Sequence, residues 1–433
     1  MSNFNPRDPI TDPSVFCPRG MYVDNRRSNK VVGFSISNEE DDDAAKSFVF
    51  DSSDMKALNR FLSTGRKLQA TRAEYLGWLR ILDNPAEVST EVGKEVDILV
   101  RTYSSIKKDC EKFEDATWIR IVELAVDIKT YATMSGGKAD TSYYVLMLDS
   151  IGQYHVENKK SNPDKAKLAE LKQSIQFTVD AKLKKLGELQ AGTSEALTGL
   201  SKFERVCEAH GVAVDANKTS LARQLYTEGS VVQSLGQKID ESVAEINVLQ
   251  KRIDEQNKII KNAAKIIVLF PIGSIIGLAQ SLAAKNERDK LLKAMEKVKE
   301  LLDDDRTKTR AATRLLLNLK FISGQVYGLS EEIGPTIKTL QKLQGAWKNM
   351  ETDLKSIKDL IDFDVGSIPP MLITRPQLQG IVDEWNELKE YASQYIEIAY
   401  ISDEPKSMTI NEYIDELKAS MKSIEAMQEE VKG

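Results

Sequence analysis

Isoleucine recurs every seven residues at Ile239, Ile246, Ile253, Ile260 and Ile267. A strict seven-residue apolar repeat is the mark of a helix packed along a coiled-coil seam. Val243 and Leu249 widen the stripe. An unbroken helix from Thr219 to Phe270 would reach about 75 Å at 1.5 Å per residue. The stripe returns as Leu291, Met295, Val298 and Leu302. The two arms therefore read as a long antiparallel helical hairpin over 219–310.

The tip of that hairpin is Ile266–Ala284, which carries no charge in a chain that is 29% charged. A run of roughly 19 apolar and small residues is near the lower limit for crossing a hydrocarbon core of ~30 Å as a helix. Pro271 removes a helix hydrogen bond and clashes with the preceding turn. The sequence therefore predicts a short arm of Ile266, Ile267, Val268, Leu269 and Phe270, then a turn. A second helix is predicted to start near Pro271, where Pro is tolerated as a first helical residue. Ile272 follows at once. Gly273, Gly277 and Ser281 fall at spacing four on one helical face, with Ile275, Ile276, Leu278 and Leu282 on the rest; small faces let helices approach closely in lipid. Two readings stand: a buried core helix, or a membrane-inserting tongue. The flanks favour the second. Lys261 and Lys265 precede the run, Lys285 and Arg288 follow it, and basic residues there suit anionic headgroups at roughly 1 kcal/mol each.

Elsewhere the helical period dominates. Pro6, Pro9, Pro13, Pro18 and the acidic run Glu39–Asp43 mark residues 1–53 as a weakly ordered arm, with a short strand at 30–37 or 47–50. Asp54 caps a helix carrying Leu58, Phe61 and Leu62, broken at Ser63-Thr64-Gly65. A short amphipathic helix covers Ala70–Ile81. Ser89 or Thr90 opens a long helix through Val92, Val96, Leu99, Tyr103, Ile106, Cys110 and Phe113, ending at Ser135-Gly136-Gly137. Asn162-Pro163 opens another, running to about Gly211. Leu315 to Ile333 and Leu340 to Ile361 continue the pattern on either side of Pro335, an expected break or kink. Pro369-Pro370 and Pro405 punctuate the last helical stretches. Almost nothing reads as extended sheet. The expected domains are the arm 1–53, a helical tail bundle in two parts over 54–218 and 311–433, and the hairpin 219–310 with the tongue at 266–284.

A search for chemistry finds little. The chain has two histidines, His155 and His210, and three cysteines, Cys17, Cys110 and Cys207, far apart in sequence. Cys207-x-x-His210 is half a zinc site without a second half. Gly136-Gly137-Lys138 fails as a phosphate loop, because Ala132 and Ala139 stand where glycine and Ser or Thr are required. No enzyme, metal or cofactor is expected. A net charge of −6 argues against nucleic acid as partner. The first residues lack a basic region followed by an apolar one. The expectation is synthesis in the cytoplasm without a cleavable signal peptide, then release from the cell by lysis or another route.

The stretch RFLSTGRKLQATRAEYLGWLRI, Arg60–Ile81, resembles a block near the N-terminus of the A components of alpha-xenorhabdolysin-type binary toxins (the Xax/Yax type). Tyr75-Leu76-Gly77 stands at that family's Tyr-Leu-Gly motif. The order of parts is also similar. A long helix follows, then a Lys-, Glu- and Ile-rich heptad helix, an apolar segment with Gly and Ile, the return AAKNERDKLL at Ala283–Leu292, and a later stretch with Trp347. The resemblance covers roughly residues 55–400. It implies a component of the cytolysin A-like α-helical pore-forming toxins, an all-α, elongated bundle of long coiled-coil-like helices with a hydrophobic tongue. It also implies action on a target-cell lipid membrane, together with a B-type subunit that lines most of the pore, as a hetero-oligomer. The tongue, carried onto this chain, is Ile266–Ala284, tucked away in a soluble form and released on membrane contact. Burying about ten apolar side chains at roughly 1.5–3 kcal/mol each would offset lost packing. Other readings are a coiled-coil scaffold or membrane-associated adaptor, and a cytolysin that needs no partner.

Overall fold

The computed structural model describes residues 13–18, 22–24, 30–31, 46–51, 53–138, 140–227, 230–256, 265–270, 275–278, 285–303, 307–367, 373–400 and 406–432. Most of them are helical. The helices are α1 Ser53–Arg66, α2 Arg72–Trp78, α3 Thr90–Phe113, α4 Ile119–Ser135, α5 Tyr143–Asn158, α6 Lys165–Thr227, α7 Ser230–Gln256, α8 Lys285–Leu302, α9 Thr307–Asp364, α10 Arg375–Tyr400 and α11 Ile410–Lys432. The strands are β1 Tyr22–Asp24, β2 Lys30–Val31, β3 Lys46–Phe48, β4 Lys265–Phe270, β5 Ile275–Leu278 and β6 Lys406–Thr409.

Local chemistry sets several boundaries. Thr71 accepts from the Glu74 amide and Glu74 reaches back to the Thr71 amide, a capping box that starts α2. Ser89 caps α3 through the Val92 amide. A π-helical stretch, Glu114–Trp118, joins α3 to α4, so the long apolar stripe begun at Thr90 continues to Ser135 as expected. Other expected breaks are absent. α1 passes through Ser63-Thr64-Gly65, where glycine is needed for close approach: a Cβ at Gly65 would overlap the Cys110 sulfur. α6 runs past Gly211 to Thr227, and α9 runs through Pro335. Neighbouring turns packed on both sides override a single weak or missing helix bond.

Chain contacts divide the protein into two compact units, each drawn from three stretches. The first comprises 1–52, 117–198 and 337–400. Its sheet has the order β2-β1-β3, all antiparallel. Phe48 of β3 packs edge-on to Phe50 and to Tyr395 of α10. Trp385 of α10 is fully buried and its Nε1 donates to the Phe16 carbonyl at 2.6 Å. The Gly136-Gly137 stop of α4 is clasped by Asn386, which accepts from the Gly137 amide at 2.7 Å and donates to its carbonyl at 2.8 Å. Gly137 takes φ 76°, the left-handed region that glycine tolerates best.

The second unit comprises 53–116, 199–336 and 401–433. Here α3 runs antiparallel to the later part of α6. Asn217 donates to Thr102 at 2.8 Å, His210 meets Asp109 at 2.9 Å, and Phe113 stacks on Phe203 at 4.1 Å. That register sets Cys110 opposite Cys207; both are free and buried. Burial pushes both thiols well above their ordinary value. His210 is thus committed to Asp109, and among the described residues no group of His, Cys, Asp and Glu could hold a metal ion. The Tyr75 of the Tyr-Leu-Gly motif is buried, and its hydroxyl donates to Asn318 of α9 at 2.8 Å. Tyr103 of α3 donates to the same oxygen at 3.1 Å.

Candidate functional site

The charge-free run lies in the second unit, between α7 and α8. These two helices pack antiparallel, as Glu245–Lys297 at 2.9 Å and Arg252–Glu287 at 3.6 Å establish. Their seam buries Ile239, Val243, Ile246 and Leu249 against Leu291, Ala294, Met295 and Val298. The heptad seam read from the sequence is therefore present between α7 and α8, but its first arm is not one helix from Thr219 to Phe270: α7 spans Ser230–Gln256 and Lys265–Phe270 is a strand. The tip also differs from the expectation.

The tip is a β-hairpin. β4 pairs antiparallel with β5, matching Lys265 to Leu278, Ile266 to Gly277, Ile267 to Ile276 and Val268 to Ile275. The first arm, expected as the end of the heptad helix, is a strand over Lys265–Phe270, and the second arm over Ile275–Leu278 is a strand and not a helix; the expected turn between them lies outside the described residues. Ile267 correspondingly leaves the heptad series and sits mid-strand. The physical reason is local. Ile266-Ile267-Val268 and Ile275-Ile276 are β-branched, stiff at χ1, and suited to a pleated surface. Gly277 faces Ile266 across the ladder, so the small-residue face expected of a helix does not form. Pro271, Ile272, Gly273 and Leu282 lie outside the described residues, as does Lys261.

A third strand completes the sheet. β6 pairs parallel with β4, matching Ile267 to Lys406, Val268 to Ser407, Leu269 to Met408 and Phe270 to Thr409. The strand order is β5-β4-β6, so β4 has no open edge. β6 passes straight into α11. Thr409 closes the strand and caps the helix, accepting from the Glu412 amide at 3.3 Å while Glu412 accepts from the Thr409 amide at 2.7 Å. α11 packs on α8, with Lys418–Glu296 at 3.0 Å, and also meets β4 and β6. Met408, Ile410, Tyr413, Ile414 and Leu417 are buried. α1 covers β5 and reaches α7. The sequence held no sign of β6, because Lys406–Thr409 is a short, mixed stretch whose role comes from a pairing with residues far away in the chain.

Of the expected headgroup contacts, Lys265 opens β4 and Lys285 opens α8. Arg288 departs from that expectation: it is 1% exposed, one turn into α8. Burial pulls its guanidinium below the ordinary arginine value, with the Tyr413 phenol opposing. In this conformation its charge is not presented to any surface ligand.

No helix among the described residues is long and apolar enough to cross a membrane. No protein-family model matches the chain, and no curated protein matches it. Solved structures do. Soluble SmhA (crystal form 2) of the tripartite alpha-pore forming toxin Smh from Serratia marcescens is similar over 83% of this chain and 98% of its own, at 13% identity and a TM-score of 0.52. Soluble SmhB of the same toxin is 11% identical over 86% and 95%, with a TM-score of 0.49. The Bacillus cereus HblL1 toxin component is 15% identical over 83% and 96%, with a TM-score of 0.43. At these identities the likeness is one of fold, and the SmhA match carries it. The chain has the all-α fold of that α-pore-forming toxin component, with two small three-stranded sheets added to the expected helical bundle.

Proposed function

We propose that this chain is a membrane-acting subunit of an α-helical pore-forming toxin, of the xenorhabdolysin A type, and that Ile266–Ala284 is its inserting tongue. One observation supports this most strongly. In the one long uncharged segment of the sequence, Ile266–Phe270 and Ile275–Leu278 pair as the arms of a short hairpin, and β6 pairs along the first arm. As strands its arms reach only about 20 Å and 13 Å at ~3.3 Å per residue. That falls short of the ~30 Å hydrocarbon core. The same ~19 residues as helix reach about 28 Å. A two-stranded hairpin would also carry unpaired backbone groups into lipid, at several kcal/mol each. Insertion therefore requires the tongue to leave β6 and exchange its ladder for helical hydrogen bonds. Lys265 and Lys285 would then sit at the headgroups, and Arg288 would join them only after α11 leaves α8. The partner in this reading is a B-type subunit, and the assembly a hetero-oligomer on the target-cell membrane.

Liposome co-sedimentation of the wild type and of Ile275→Asp/Ile276→Asp tests the tongue. The double variant is expected to keep its helix content by circular dichroism and to lose at least tenfold in vesicle binding. Undiminished binding would remove the tongue from the mechanism. Lysis of red cells by the chain alone, rather than with a second subunit, would replace the two-component reading with a self-sufficient cytolysin.

A further inference from the structure

The second unit holds two thiols that the tongue reading leaves unused. α3 and the later part of α6 pack antiparallel, and three contacts fix their register. Asn217 donates to Thr102 at 2.8 Å, His210 meets Asp109 at 2.9 Å, and Phe113 stacks on Phe203 at 4.1 Å. Cys110 follows Asp109 directly, and Cys207 lies one helical turn from both His210 and Phe203. The two cysteines therefore share one turn of the seam. The His210–Asp109 pair bounds it on one side and the Phe113–Phe203 stack on the other. α1 supplies a third wall. Phe61 packs edge-on to Phe203 at 6.2 Å, and Gly65, one turn further along α1, meets the Cys110 sulfur where a Cβ would overlap it. Both cysteines are free thiols, 1% and 0% exposed.

A disulfide needs two cysteines whose Cβ atoms face each other at short range, and the register provides the facing. The charge of Cys207 is also felt at Cys110, so the two sulfurs lie within electrostatic reach. The same surroundings keep both thiols unreactive. Burial is the main cause that raises each, and the Asp109 carboxylate adds to it at both. The thiolate is the attacking species in thiol–disulfide exchange, so a thiol held neutral and out of solvent is inert. Exchange with a dissolved disulfide therefore waits until α3 and α6 part. They are apart before folding is complete, and again during a local opening.

We propose that Cys110 and Cys207 are a site of disulfide formation, joining α3 to α6 when the chain folds or opens in the presence of a low-molecular-weight disulfide, and that the closed fold then preserves whichever state it shut in. One thiolate attacks the small disulfide, forming a mixed disulfide and releasing one small thiol. The second protein thiolate attacks the protein sulfur of that mixed disulfide and releases the other small thiol. Two protein thiols thus become one disulfide, and the two electrons and two protons pass to the small disulfide, which leaves as two thiols. The bond closes a loop of about 100 residues, long enough to restrict the unfolded chain strongly. The same burial that protects the thiols from oxidant protects the finished bond from reductant. The site is independent of the tongue reading.

Refolding of the full chain tests the proposal. Reduced, unfolded protein is refolded either with dithiothreitol or with a mixture of oxidised and reduced glutathione, and folded dithiol protein is incubated in the same glutathione mixture. Non-reducing peptide mapping by mass spectrometry is expected to find the Cys110 peptide joined to the Cys207 peptide after glutathione refolding. The folded protein should acquire that link at least tenfold more slowly, and dithiothreitol should remove it at least tenfold faster once denaturant is added. The linked form should keep the helix content of the dithiol form and unfold about 5 °C or more above it. Cys110→Ala and Cys207→Ala, refolded in glutathione, should each show no such rise; the mapping of the wild type stands even where a variant folds poorly. Glutathione adducts without the link, or a link through Cys17 instead, would overturn the site, as would a linked form that has lost helix or unfolds at a lower temperature. Equal rates of linking in folded and refolding protein would overturn the preserved state.

Discussion

Lys182 is enclosed by aromatic rings. Its Nζ lies 4.0 Å from the Tyr131 ring, 4.3 Å from Tyr144 and 5.6 Å from Trp385, and it donates to the Ser135 hydroxyl. It is 1% exposed, and among the described residues no carboxylate pairs with it. Burial pulls the ammonium well below its ordinary value, while the ring faces favour the charged form. With the folded value lowered, the unfolded chain holds more protons between that value and the ordinary ~10.4, so stability rises with pH across that window and the deficit ends above it. Lys182→Met should flatten the rise of the unfolding midpoint on the alkaline side of neutrality; equal slopes in both proteins would refute the role. A different polar core joins Tyr75 and Tyr103, which share the Asn318 oxygen. Burial pushes both phenols above their ordinary value. Tyr75→Phe removes one hydrogen bond and should cost about 1 kcal/mol in chemical denaturation. Asn318→Ala strands two buried hydroxyls and should cost more, roughly 2–4 kcal/mol. Tyr75 stood out in the sequence as part of a motif. Asn318 did not, because a single Asn within an apolar stripe looks like a solvated position until its partner, 243 residues away, is known.

In the proposed insertion, the β4–β5–β6 sheet is what must break first. Freeing β4 strips one complete edge of its backbone partners, and α11 must shift with β6 because Thr409 belongs to both. Cysteines at Leu269→Cys and Met408→Cys would face each other across the parallel ladder. Strands ~4.8 Å apart lie within the Cα range of a disulfide. The oxidised protein should lose vesicle binding at least tenfold and recover it with reductant; full activity while oxidised would show that β6 need not part from β4. The paired helices α7 and α8 were legible because their stripe repeats locally, and Ile239 and Ile246 are buried where the repeat put them. The hairpin was not. Ile267 continues the sevenfold count by coincidence, while strand preference in a β-branched run is decided by which edges it can pair with. The parallel partner came from beyond Pro405, outside any local window.

At the scale of the whole chain, helical class follows from periodicity and needs no long-range information, which is why the all-α class was readable while the two small sheets were not. The division into units was not. Each is assembled from three separated stretches, and α6 and α9 each contribute residues to both. Nothing in the stripe Leu340 to Ile361 marks Ile337 as a boundary, since the same three-four spacing serves on either side of it. The facing of Cys110 and Cys207 likewise emerged only from the register of α3 with α6. Because the second unit draws its last piece from 401–433, it stays incomplete until the whole chain exists. β6 follows β4 by about 140 residues. At synthesis rates of roughly 5–20 residues per second, that gap lasts on the order of 10 s. Throughout it the ribosome carries a nascent chain whose most apolar strand has one bare edge, a template for pairing with its neighbours. Polysomes translating this message at high density are therefore where aggregation should begin, and chains interrupted between Leu278 and Lys406 are the species that should be found in the deposits.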